Sequence, residues 1–367
     1  MNTQIQDEFT FKNGQAMRNR VVLAPMTICA SEPGGYVSQA DIDFFARRSR
    51  SVGMVITGST YVHPLGKSFA ESFSGAEDDK IEGLSRLAKA IKDQGALAIV
   101  QLYHGGRMVL PDLIDGQPVA PSAVKAPRDY LAEPRALKNS EVEQVIEDFL
   151  SAIRRAIQAG FDGVELHGAN TYLIQQFVSP HSNVRQDKWG GSLNNRLRFP
   201  KTLLKRAKQL VKEEADRPFL IGYRFSPEEI EEPGIQLYDT LQLLEQLIYH
   251  QVDYLHISTS DVWRSSIRDS QDSEPVIQKI IKKINGRVPL IGVGQIKTKQ
   301  DAQRVLDAGI PLFALGKALL LDPDWAEKVV SGREAEVIRA YRDELQADLA
   351  LPTAFVEDAR SYLEGKD

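Results

Sequence analysis

The chain has 367 residues, 42% hydrophobic and 26% charged, and a net charge of −5. That composition suits a soluble globular protein with a large core, and cations spread along an acidic chain argue against nucleic acid as a partner. The single cysteine, Cys29, excludes an internal disulfide, a cysteine-ligated zinc site and an iron–sulfur cluster held by this chain's own thiolates.

The N-terminal stretch Met1–Phe9 is polar and lacks the basic and apolar regions of a signal peptide. No apolar run approaches the roughly 20 residues a membrane-spanning helix needs. A cytoplasmic protein with no membrane partner is expected. Eight apolar runs then read as strands: Arg20–Pro25, Gly53–Val62, Leu97–Tyr103, Asp162–His167, Pro218–Phe225, Asp253–Thr259, Val288–Gly294 and Ile310–Gly316. Amphipathic stretches separate them. The clearest is Ser140–Gln158, where Val142, Val145, Ile146, Phe149, Leu150, Ile153 and Ile157 form one stripe. Ser140 with Glu143 reads as a capping box, and Gly160 suits the stop.

Strand and helix alternating about eight times predict a (β/α)8 TIM barrel, residues 1–367 forming one domain. The structural rival is an open doubly wound sheet with a Gly-x-Gly-x-x-Gly turn after its first strand. Here that strand ends Ala24-Pro25-Met26-Thr27, without such a turn. The connection Gly105–Asn139, after strand 3, holds Pro111, Pro118, Pro121, Pro127 and Pro134. It is read as a rim or lid over the site, or as a surface excursion. The charged tail, 331–367, is expected to be helical and either to cap the barrel or to form a subunit contact in a homo-oligomer.

A barrel of this kind carries its active site at the C-terminal ends of the strands. After the fourth strand stand His167, Asn170 and Tyr172. Two neutral hydrogen-bonding groups can hold an electron-rich oxygen, and a phenol can supply a proton, which suits polarisation of a conjugated carbonyl. Gly294-Gln295 and Gly316-Lys317 follow the last two strands. Glycines there let backbone N–H groups approach a phosphate, and the lysine adds charge. Gln101 and Arg224 point from two other strands, either toward a ligand or into an interior network with Glu165. A flat ligand with a phosphate tail and a polar ring edge accounts for all of these. The histidines His104, His167 and His256 near strand ends leave a metal-dependent hydrolase as the rival enzyme class. A ligand-carrier barrel that has lost catalysis is the non-enzymatic one.

The chain resembles the old yellow enzyme family of FMN-dependent ene-reductases. The resemblance runs from Leu23-Ala-Pro-Met26 through Asp322-Pro323. It is most specific in His167-Gly-Ala-Asn170-Thr-Tyr172, Ser179-Pro180, Asn183, Arg185, Asp187, Gly190-Gly191-Ser192, Asn195-Arg196 and Arg198-Phe199. Gln101-Leu-Tyr-His104-Gly-Gly-Arg107 and Tyr223-Arg224-Phe-Ser226-Pro227 also match. The resemblance implies non-covalent FMN with NADH or NADPH as reductant, and a small activated alkene as substrate. It places Pro25, Met26 and Ser59 on the isoalloxazine and Thr27 near its O4. Gln101 falls on the pyrimidine edge and Arg224 near N1. The phosphate would lie by Gly294, Gln295, Gly316 and Lys317. His167 and Asn170 would hold the substrate oxygen while Tyr172 protonates the alpha carbon. Thr27 stands where one branch has cysteine, Asn170 where another has a second histidine, and Lys317 where arginine is common. Lysine meets a phosphate as a point charge rather than as a planar fork.

Overall fold

In the computed structural model, which describes residues 3–364, a short antiparallel pair comes first, β1 (Phe9–Thr10) with β2 (Ala16–Met17). Each predicted strand run then contributes one parallel strand to a closed barrel. These are β3 (Val21–Leu23), β4 (Met54–Tyr61), β5 (Leu97–Tyr103), β8 (Gly163–Gly168), β9 (Leu220–Phe225), β10 (Tyr254–Ile257), β11 (Leu290–Val293) and β12 (Leu312–Leu315). A second small pair, β6 (Val119–Ala120) and β7 (Arg135–Ala136), lies within the proline-rich insertion. Residues 1–2 of the N-terminal stretch and 365–367 of the tail lie outside the described residues.

The helices are α1 (Gln39–Ser49), α2 (Ile81–Lys92), α3 (Asn139–Gln158), α4 (Leu173–Val178), α5 (Leu193–Arg196), α6 (Arg198–Glu214), α7 (Leu237–Tyr249), α8 (Val276–Ile284), α9 (Lys299–Asp307), α10 (Lys317–Leu321), α11 (Trp325–Val330) and α12 (Thr353–Glu364). In α2, Leu84, Leu87, Ala88 and Ile91 recur at three and four and are the buried face. The predicted stripe of α3 is likewise buried, and Gly160, at φ +85°, follows its end. The start of α3 differs from the capping-box reading. Glu141, not Glu143, accepts the N–H of Lys138 (2.7 Å) and also binds Arg135 (2.9 Å), while Glu143 pairs with Lys188 (2.8 Å). The helix begins at Asn139, so its third position falls on Glu141 and Ser140 lies inside the first turn. Among the described residues no helix is long and apolar enough to cross a membrane.

Side chains alternate between the two faces of each strand. The outward set packs under the helices. The inward set makes a separate cluster with Val22, Met54, Ile56, Ile99, Leu220, Tyr254, Ile291 and Leu312. Phe11 and Met17, from the β1–β2 hairpin, join it and close the barrel opposite the strands' C-terminal ends. Gly222 is required here: a Cβ at that position would lie 2.0 Å from the ring of Tyr254, which fills the lumen.

The insertion is fastened to the loop after α4. Arg185 Nη1 donates to the carbonyls of Pro121 (2.7 Å) and Leu137 (2.5 Å), and Val184 N–H donates to Ser122 Oγ (3.0 Å). The tail after Gly332 has two 3-10 turns before α12, which packs against α10.

Candidate active site

Alternation turns the barrel interior from apolar to polar as the strands rise. Two residues beyond Ile99 stands Gln101, and beyond Gly163 come Glu165 and then His167. Beyond Gly222 stands Arg224, and beyond Tyr254 stands His256. Register sets Gln101 beside Glu165 and Arg224 between His167 and His256. Glu165 is the hub. Its carboxylate accepts from Gln101 Nε2 (2.8 Å) and from His256 Nδ1 (2.9 Å), and Ser59 Oγ donates to Gln101 Oε1 (3.2 Å). Burial works to raise the Glu165 carboxyl, but His256, Arg224 and Gln101 outweigh it and hold it below its ordinary range. Burial keeps His256 neutral, so its contact with Glu165 is a hydrogen bond.

The interior-network reading of Gln101 is therefore seen, but Arg224 joins only through its charge. Its Nε is buried without a hydrogen-bond partner. A guanidinium with an unpartnered Nε below the mouth is what a ligand with an electron-rich edge would satisfy.

At the end of β8, His167, Asn170 and Tyr172 come together. The His167 and Tyr172 rings meet edge to face, 4.9 Å apart. Burial, with Arg224 and His256 adding, pushes the His167 imidazole well below its ordinary range, so it is neutral. Its Nδ1 accepts the N–H of Ala169 (3.4 Å), which puts the proton on Nε2 as a donor. Burial raises the Tyr172 phenol to about 12, with Arg224 opposing. Asn170 Oδ1 accepts from Ser258 Oγ (2.8 Å), leaving Nδ2 to donate. Tyr103 and Phe69 pack beside Tyr172, with ring centroids 5.2 and 6.4 Å away. His167→Ala is expected to weaken the binding of a phenol ligand, followed as a long-wavelength charge-transfer band in a titration; an unchanged band would rule out oxygen capture by His167.

The other predicted residues line the same end of the barrel. Pro25, Met26 and Thr27 leave β3 half-buried. Thr27 Oγ1 accepts the N–H of Ser59 (3.1 Å), so its own proton remains available to an acceptor. A Cβ on Gly58 would lie 2.6 Å from the Met26 carbonyl, so glycine lets these two strand ends close up. Gly294 (φ +112°) and Gln295 (φ +52°) turn the chain after β11. The Cβ direction of Gly316 faces open space, with only Met26 Sδ at 3.5 Å. These groups would fit FMN: backbone and hydroxyl donors for the ring, a guanidinium with an unpartnered Nε for its electron-rich edge, and glycines with a lysine for the phosphate. The Lys317 ammonium lies 4.4 Å over the ring of Tyr362. The tail thus reaches Lys317 just beyond β12.

Other expected features are also placed. Asp187 accepts from Arg185 and from the N–H of Trp189, and Arg196 donates to the carbonyls of Val178 and Gly191. Trp263 packs under Arg304 at 4.3 Å. Among the described residues no group of three or more His, Cys, Asp and Glu is placed to hold a metal ion. Sequence spacing assigns no role to Gln175, Gln176 and Glu229, and marks Ser226 and Ser258 only at their strand ends, because the partners of these groups lie on other elements.

The chain belongs to the NADH:flavin oxidoreductase / NADH oxidase family, whose profile it matches over residues 7–336; this is the old yellow enzyme family. It is 47% identical to an NADH:fumarate oxidoreductase of Klebsiella pneumoniae (strain 342) over 92% of this chain and 37% of that protein. It is 44% identical to a probable NADH-dependent flavin oxidoreductase, YqiG, of Bacillus subtilis (strain 168), over 90% of this chain and 89% of that one. The chain thus spans little more than a third of the Klebsiella relative. Morphinone reductase shares the structure with a TM-score of 0.79 and 26% identity, over 97% of this chain and 93% of that one. The old yellow enzyme homologue of Zymomonas mobilis gives 0.78 and 26%, over 90% and 93%. Membership of that family gives this chain a flavin-oxidoreductase barrel.

Proposed function

We propose that this protein is a cytoplasmic ene-reductase that saturates the C=C bond of small activated alkenes, enones or nitroalkenes. The observation that carries the reading is the contact of a neutral His167 with a protonated Tyr172. Bound FMN supplies hydride to the substrate's beta carbon. His167 Nε2 and Asn170 Nδ2 donate to the substrate oxygen and draw electron density toward it. Tyr172 gives its proton to the alpha carbon. Arg224 would offer a fixed positive charge to the edge of a bound flavin that becomes electron-rich on reduction.

The oxygen-holding donors are neutral, and the charge of Arg224 is offset by Glu165. A carbonyl or nitro oxygen is thus favoured over a carboxylate. Cyclohexenone is expected to be reduced with a kcat/KM at least about tenfold above that of acrylate or fumarate, since one unmatched charged contact is worth that much. Equal values in a steady-state comparison would refute this. The deciding experiment is the visible spectrum under anaerobic addition of NADH, then NADPH, then cyclohexenone. Bleaching by a nicotinamide and recovery with the enone supports the reading. A protein that takes up no FMN, or bleaches and never recovers with enone, refutes it.

The length of the Klebsiella relative favours a second reading. In it the barrel oxidises NADH and electrons leave for a separate partner. Fast reduction of an artificial acceptor with no enone turnover would favour that alternative.

A further inference from the structure

Asn170 and Thr171 are consecutive non-glycine residues with positive φ, +54° and +63°. For a β-branched threonine this conformation is a genuine outlier, and it persists only where the surroundings over-determine it. Here they do. Asn170 N–H donates to Ser226 Oγ (3.0 Å). Thr171 N–H donates to Gln175 Oε1 (3.0 Å), and Thr171 C=O accepts from Gln176 Nε2 (2.7 Å). Gln175 is itself fixed: its Nε2 donates to Glu229 Oε1 (2.7 Å). The other oxygen of Glu229 takes Ser179 Oγ (2.5 Å) and the N–H of Ile235 (3.1 Å). Gln175 and Glu229 are both buried, so their hydrogen bonds face little competition from water.

The strained pair lies directly between His167 and Tyr172. If it relaxed to an extended conformation, Asn170 and Tyr172 would leave their places relative to His167. We infer that Gln175, anchored by Glu229, is a positioning residue that holds the left-handed Asn170–Thr171 turn and thereby sets the geometry of Asn170 and Tyr172. The inference rests on the roles proposed above for those two side chains.

Gln175→Met keeps the side chain's size and removes both the acceptor for Thr171 N–H and the donor to Glu229. It is expected to weaken binding of a phenol ligand to the FMN-loaded protein by about tenfold or more. In the apoprotein, amide hydrogen exchange over residues 168–176 should speed up by a similar factor. Adding Thr171→Gly should restore most of the phenol affinity, because glycine adopts positive φ without strain. An unchanged affinity and exchange rate in Gln175→Met would overturn the inference. So would a double variant that keeps FMN and the wild-type Tm yet shows no recovery, because that pattern marks a packing role. If Gln175→Met fails to fold, Thr171→Gly alone decides: phenol affinity within about twofold of wild type and a raised Tm support stored strain, whereas a lowered Tm overturns it. The exchange readout needs no substrate, so it stands even if the wild-type enzyme reduces no enone; that failure would strike only the proposed activity.

Discussion

Tyr172→Phe is expected to slow enone reduction by about 100-fold or more, the usual contribution of a general acid. Flavin reduction by the nicotinamide should change far less, because hydride transfer to the flavin needs no proton from the phenol. Stopped-flow measurement of the two half-reactions separates them, and equal slowing of both would remove the assigned role. The same residues predict the pH dependence. Burial places the Tyr172 phenol at about 12 and keeps the His167 imidazole well below its ordinary range. Neither changes protonation between about pH 7 and about pH 10. The wild-type reoxidation rate should be flat across that window. A slope near neutrality would mean that another group supplies the proton.

The second large effect concerns the buried charges. Arg224→Met is expected to destabilise the apoprotein by about 3 kcal/mol, because Glu165 would remain charged and buried without its counter-ion. In the wild type the folded carboxyl lies below its unfolded value. It therefore contributes stability above the unfolded pKa, and loses it as pH falls through the lowered folded value. Without Arg224, burial is opposed only by His256 and Gln101, and the folded carboxyl should rise above the unfolded value. It would then cost stability at neutral pH, and this cost would fade as pH drops toward about 4. Urea unfolding at about pH 5 and about pH 8 checks the sign. The deficit of the variant should be smaller at the lower pH, and Glu165→Gln in the same background should recover most of it. The FMN midpoint potential of the loaded variant should also fall, since a fixed cation favours the reduced, electron-rich ring. A deficit independent of pH would show that packing, not charge, sets the cost.

The barrel was legible because each strand is a short apolar run between amphipathic stretches. In β4 all eight residues are buried. In α3 the stripe from Val142 to Ile157 coincides with the buried face. The start of α3 was misplaced by two residues because Ser140–Glu143 has the same chemistry as the cap that forms at Lys138–Glu141. The hairpin plug of Phe11 and Met17 escaped notice, since two-residue strands carry no periodic signal.

Within the site, His167, Asn170 and Tyr172 were legible because they lie within six residues of one another. Gln101 and Arg224 were recognisable as polar groups at strand ends, with an interior network around Glu165 as one of two readings; that Gln101 and not Arg224 bonds Glu165 was not legible. The sequence by itself determined the strand–helix alternation, the period-two change from apolar to polar along β5, β8, β9 and β10, and the chemistry available at the strand ends. These are local properties, fixed by side-chain type and spacing. Only the tertiary structure decided that Glu165 bonds Gln101 and His256 while the Arg224 guanidinium keeps an unpartnered Nε, that Tyr362 reaches Lys317, and that Gln175 and Glu229 hold the Asn170–Thr171 turn. Those partners lie on separate elements, and strand register and loop closure, not sequence spacing, bring them within hydrogen-bonding distance.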